Sequence, residues 1–128
     1  MRTVGGLHAQ MIERENLLQA VHLAAKGRRG QPAVQTYLDQ LDDELEALRE
    51  QLANAKPDCG ECQTFIIYDP KERIITAPVF RERVLHHAVM AVAGPVLDRR
   101  LIHHSYACRR GKGTVAALDA ARRAAGAA

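Results

Sequence analysis

Tryptophan is absent from the sequence, and aromatic residues as a class reach only 4%. A platform of stacked rings for single-stranded nucleic acid is therefore not expected, and a core has to be built from Leu, Val, Ile and Ala. No apolar run approaches the roughly 18 residues that a membrane-crossing helix needs. The opening stretch, MRTVGGLHAQMIEREN, lacks the apolar centre of a secretory signal. Cysteine is scarce, and three is an odd number; with no sign of export, this predicts reduced thiols in a cytoplasmic protein. No internal repeat is visible. Neither the phosphate-binding pattern G-x-x-x-x-G-K-[ST] nor the nucleophile elbow G-x-S-x-G occurs, which argues against a P-loop nucleotidase and an elbow-type hydrolase.

What remains is a chain of 128 residues, 47% hydrophobic and 26% charged, the balance of a soluble globular protein with room for one core. Its net charge of +3 conceals an asymmetry. Residues 1–64 hold 7 Lys/Arg against 10 Asp/Glu, a net of −3, whereas residues 65–128 hold 11 against 5, a net of +6. The second half is the one suited to meet a polyanion.

Apolar residues Leu7, Met11, Leu18, Val21 and Ala25 recur at roughly helical spacing and predict a first helix that closes at Gly27 to Gly30. After Pro32, the positions Val34, Leu38, Leu41, Leu45, Leu48 and Leu52 step by three and four, opposite Asp42, Asp43, Glu46 and Glu50. This predicts a second, amphipathic helix ending before Pro57. The pattern then turns β-favouring: Phe65 to Tyr68 and Arg73 to Thr76 flank the polar tip Asp69-Pro70-Lys71-Glu72, which predicts a hairpin. Beyond Pro78, the face Val84, Leu85, Ala88, Val89 and Val92 predicts a third helix that stops at Gly94-Pro95. A helical turn over 96–101 leads into a basic loop, and Thr114 is placed to cap a last, Ala-rich helix. The expected fold is α+β and mostly helical: two N-terminal helices, a hairpin, and two to three further helices. A boundary is expected between an N-terminal helical region, 1–55, and the remainder, 56–128.

Cys59-x-x-Cys62 has the spacing of half a zinc site, but Cys108, His86, His87, His103 and His104 supply no second pair at ligand spacing. The motif reads as a turn with free thiols. Cys108 and Ser105 have no ordered base beside them, so nucleophilic chemistry is not supported. The loop Cys108-Arg109-Arg110-Gly111-Lys112-Gly113-Thr114 combines cations, two glycines and a following helix N-terminus. Such a loop is either a phosphate contact or a solvated turn.

Between Phe65 and Leu118 four blocks follow in order: DPK-x-R-x-I-x-AP, F-R-x-R-V-x-HHA, P-x-x-D-R-R-x-I and S-Y-A-C-R-x-G-K-G-T. This ordered series resembles the first conserved blocks of bacterial reverse transcriptases, in particular those of diversity-generating retroelements and their group II intron-like relatives. The resemblance implies the fingers of a right-hand RNA-directed DNA polymerase, a nucleotidyltransferase whose partners are an RNA template and a DNA primer. Lys71 and Arg73 of the hairpin would neutralise the incoming nucleotide's triphosphate. Arg83, His87, Arg109, Gly111, Lys112 and Gly113 would contact the template or primer backbone, which carries no sequence code. An intramolecular salt bridge for Arg83 and a packed polar contact for His87 are the alternatives.

The family's Mg2+ ions sit on palm carboxylates, two of them in a Tyr-x-Asp-Asp turn. That motif is absent here, and the last acidic residue is Asp119. The expectation is a truncated fingers fragment with no metal or catalytic residue of its own. Its further partners would be a palm and thumb portion or a second copy of itself, and no membrane. Relatives carry an aromatic, Gly/Pro-containing link before the hairpin, where this chain has Ala55-Lys56-Pro57-Asp58-Cys59-Gly60-Glu61-Cys62. The alternatives are a stand-alone RNA-binding or regulatory module and a non-functional gene remnant.

Overall fold

The computed structural model describes residues 5–57 and 59–126. Met1 to Val4, Asp58 of the link before the hairpin, and Ala127 and Ala128 lie outside the described residues. The fold is α+β and mostly helical. Its elements are α1 (Leu7–Met11), α2 (Arg14–Ala25), α3 (Pro32–Asp39), α4 (Leu41–Ala53), β1 (Cys62–Tyr68), β2 (Glu72–Pro78), α5 (Phe80–Arg100) and α6 (Thr114–Gly126). The chain divides into two compact units, Met1–Gly94 and Pro95–Ala128. Within the first unit, α2, α4 and the first half of α5 contribute to one core.

Three helical boundaries differ from the sequence pattern, each for a local reason. The first helix breaks at Glu13, whose backbone is extended at φ −61° and ψ 136°. Asn16 then donates to the Met11 carbonyl at 3.1 Å and to the Ala88 carbonyl at 3.0 Å, satisfying the end of α1 and tying α2 to α5. The break resets the helical phase. Leu7, Met11 and Leu18 therefore do not share a face: α2 buries Leu17, Ala20, Val21, Ala24 and Ala25, while Leu18 is exposed.

The second helix is interrupted at Gln40, with φ −115° and ψ 31°. Asp42, Asp43 and Glu44 thereby fall in the first turn of α4, where the helix dipole favours negative charge. The apolar seam survives the interruption, since Val34, Tyr37, Leu45, Leu48 and Leu52 are all buried. The third helix continues through Gly94-Pro95 to Arg100. Proline removes one backbone donor, and the carbonyl it frees belongs to Ala91, an exposed residue that water can reach.

The hairpin pairs Phe65 with Ile75, Ile66 with Ile74, Ile67 with Arg73 and Tyr68 with Glu72. Pairing thus extends beyond the predicted runs at both ends. Every residue of β1 is exposed, and so are Glu72, Arg73 and Ile74 of β2. What holds the hairpin's base is Glu82, in the first turn of α5 and only 4% exposed. Its Oε1 accepts the N–H of Gly60 and, at 2.9 Å, that of Glu61. Glu61 also accepts the Val79 N–H at 3.2 Å and pairs with Arg81 at 2.7 Å.

Tyr37 stacks edge-to-face on Phe80 with ring centroids 5.1 Å apart, and its buried hydroxyl has no hydrogen-bond partner among the described residues. Burial, reinforced by the Glu44 charge and opposed by Arg81, pushes its pKa up to about 12 from an ordinary 10.0. The neutral phenol therefore contributes stability that is complete below pH 10 and lost as pH rises towards about 12. Alkaline unfolding followed by circular dichroism is expected to steepen across that window. Tyr37→Phe is expected to flatten it.

Candidate nucleic-acid interface

The residues singled out for nucleotide and template contact fall into three places. Lys71 lies at the hairpin tip, between β1 and β2, and Arg73 stands in β2 opposite Ile67. Both are exposed, and neither side chain has an ion pair or hydrogen bond among the described residues. They are two cations on a narrow support, free to approach an anion but screened by water and salt until one arrives.

Arg83 and His87 stand one turn apart on α5. With His86, Met90 and Pro78 they line a groove of about 390 Å³. Arg83 is half-buried; its backbone N–H donates to the Val79 carbonyl at 3.2 Å, and its side chain makes no ion pair among the described residues. Among the described residues the salt-bridge alternative for Arg83 is not realised. His86 and His87 both reach this groove although adjacent helical positions diverge by about 100°. The groove offers one permanent cation and two imidazoles to a ligand.

Arg109, Gly111, Lys112 and Gly113 come together in the loop before α6, within the Pro95–Ala128 unit. Their side chains do different things. Arg109 is turned inward and only 13% exposed. Its Nε donates to Asp98 Oδ1 at 2.8 Å, and its Nη1 donates to the carbonyls of Ile102 at 2.8 Å and Ser105 at 3.0 Å. That guanidinium is committed to holding the loop on the end of α5.

Lys112 Nζ donates to the His103 carbonyl at 2.7 Å and lies 4.9 Å from the centre of the Tyr106 ring, an arrangement that combines a hydrogen bond with a cation–π contact. Gly111 and Gly113 have φ of +70° and +109°. Both face open space, so backbone conformation, not crowding, selects glycine there. The Gly113 N–H closes the loop on the Tyr106 carbonyl at 3.0 Å. A recess of about 250 Å³ forms between His103, Tyr106, Lys112, Asp119 and Arg123.

Arg110 is the loop cation that the sequence pattern does not separate from its neighbour. It is exposed and has no side-chain partner among the described residues, so it is better placed than Arg109 to meet a phosphate. Adjacent arginines carry the same sequence signal, and only the turn decides which one faces outward.

Cys59, Cys62 and Cys108 are free and exposed. Among the described residues no three His, Cys, Asp or Glu side chains converge to hold a metal ion, and no helix is long and apolar enough to cross a membrane. Neither a protein-family model nor a curated protein matches this chain.

Proposed function

We propose that this chain supplies the fingers of a bacterial reverse transcriptase of the diversity-generating retroelement and group II intron-like kind, holding the nucleotide triphosphate and the RNA template with its DNA primer. The observation that carries this reading is the order of the four blocks from Phe65 to Leu118. It is supported by cations without a side-chain partner among the described residues at successive places along that stretch: Lys71 and Arg73 on the hairpin, Arg83 on α5 and Arg110 in the following loop. The polymerase reaction needs Mg2+ ions held by carboxylates. The donor set described here does not fit them: no metal-type cluster forms among the described residues, and Asp98 is engaged by Arg109. The 128 residues alone are therefore expected not to extend a primer.

Binding of an RNA/DNA primer-template as salt is raised tests the reading. Affinity is expected to fall steeply with salt, and Lys71→Ala or Arg110→Ala is expected to reduce the logarithmic salt slope by about 1 each. Salt-independent binding, or slopes unchanged by both variants, would remove the interface assigned here. The +6 charge of residues 65–128 also suits a stand-alone RNA-binding module. Added nucleotide triphosphate strengthens primer-template binding only under the fingers reading.

A further inference from the structure

We propose that the recess beside Tyr37 is a binding site for a guanidinium group, the side chain of an arginine carried by a partner chain. The recess has a volume of about 340 Å³, and its lining includes Tyr37, Glu44, Glu61, Gln63, Phe80 and Arg81. All of these belong to the Met1–Gly94 unit. Tyr37 is 5% exposed, and its hydroxyl has no hydrogen-bond partner among the described residues. Glu44 and Arg81 line the same recess as Tyr37, and their charges act on that phenol in opposite directions. A buried hydroxyl left unsatisfied is costly, and here it belongs to a residue that lines a recess.

The charges of the recess select the ligand. Arg81 and Glu61 neutralise one another across 2.7 Å. Glu44, half-buried in the first turn of α4, has no side-chain hydrogen bond or ion pair among the described residues. The lining therefore carries one uncompensated carboxylate, one unsatisfied phenol and the edge-to-face pair of Tyr37 and Phe80. An anion would meet Glu44 and Glu61. A guanidinium matches all three features: it donates two parallel N–H bonds to a carboxylate, has further N–H groups for a phenol oxygen, and lays a weakly hydrated flat face on aromatic rings. An ammonium is compact and strongly hydrated, and satisfies only the charge. The proposal does not rest on the polymerase reading: Phe80 and Arg81 fall in the second block, but Tyr37 and Glu44, which supply the phenol and the carboxylate, precede all four.

The test is a titration of the full chain, followed by its backbone amide resonances, with arginine capped at both ends against lysine capped in the same way. Capped arginine is expected to shift amides in 33–44, 61–63 and 79–81 saturably in the millimolar range, with capped lysine about tenfold weaker. Glu44→Gln and Tyr37→Phe are each expected to weaken arginine binding by about fivefold or more. Tyr37→Phe is also expected to leave the melting temperature unchanged or raised, since it removes an unsatisfied hydroxyl; that separates loss of binding from loss of fold. Equal binding of the two probes would overturn the proposal. So would shifts confined to other residues, undiminished binding in both variants, or a lowered melting temperature for Tyr37→Phe, which would show the phenol already satisfied.

Discussion

Leu45→Ala is expected to lower the unfolding free energy by about 3 kcal/mol, within the range for removing a buried leucine side chain and leaving a cavity. Leu45 is 1% exposed and belongs to the cluster formed by Leu17, Val21, Leu48, Val84 and their neighbours. Stabilities of domains this size are about 5–15 kcal/mol, so the loss is a large share of the total. Urea denaturation checks it: the midpoint should fall while the slope stays constant. Leu18→Ala is the informative control, because the sequence periodicity places Leu18 on the core face and the structure leaves it exposed. It is expected to cost less than about 1 kcal/mol. Equal losses at the two positions would restore the uninterrupted first helix.

The second large effect is expected at Glu82. Its carboxylate accepts two backbone N–H groups from the segment that leads into the hairpin, and hydrogen bonds to a charged group are worth about 1.5–3 kcal/mol. Glu82→Ala is expected to cost about 2 kcal/mol or more and to speed hydrogen exchange at the Gly60 and Glu61 amides. Glu82→Gln keeps an acceptor oxygen and should lose about half as much. Wild-type exchange at Gly60 in the alanine variant would mean that the link is held by something else.

These two residues also mark what periodicity can and cannot reveal. Leu45, Leu48 and Leu52, and likewise Val84, Leu85 and Ala88, are legible because each helix buries one continuous stripe, and a stripe is a sequence pattern. The hairpin is legible from its β-branched runs and polar tip. Glu82 is not legible: in sequence it is one more acid on a basic helix, and its partners are backbone groups 21 and 22 residues away. The same holds for Asn16, which reaches Ala88 across 72 residues. The break at Glu13 is accompanied by such a tie, and no periodicity records either.

Of the candidate site, the chemistry of the cations is readable in the sequence and their direction is not. Arg83 makes no ion pair among the described residues, but its sequence allows either outcome. Arg109 and Arg110 differ only in which way the turn at Cys108, with φ +55°, sends them. The unsatisfied phenol of Tyr37 has no sequence signal, since a tyrosine within an apolar stripe reads as core.

The unit Pro95–Ala128 contains no buried residue among those described; it is held by the polar ties that Arg109 and Lys112 make to carbonyls and to Asp98. Heat capacity and denaturant sensitivity both scale with the surface that unfolding uncovers. Melting of this unit therefore releases little of either, and a calorimetric trace reports almost entirely on the preceding unit. Its order is read instead from the exchange of its α6 amides, which should be fast, governed by local opening, and nearly blind to added urea.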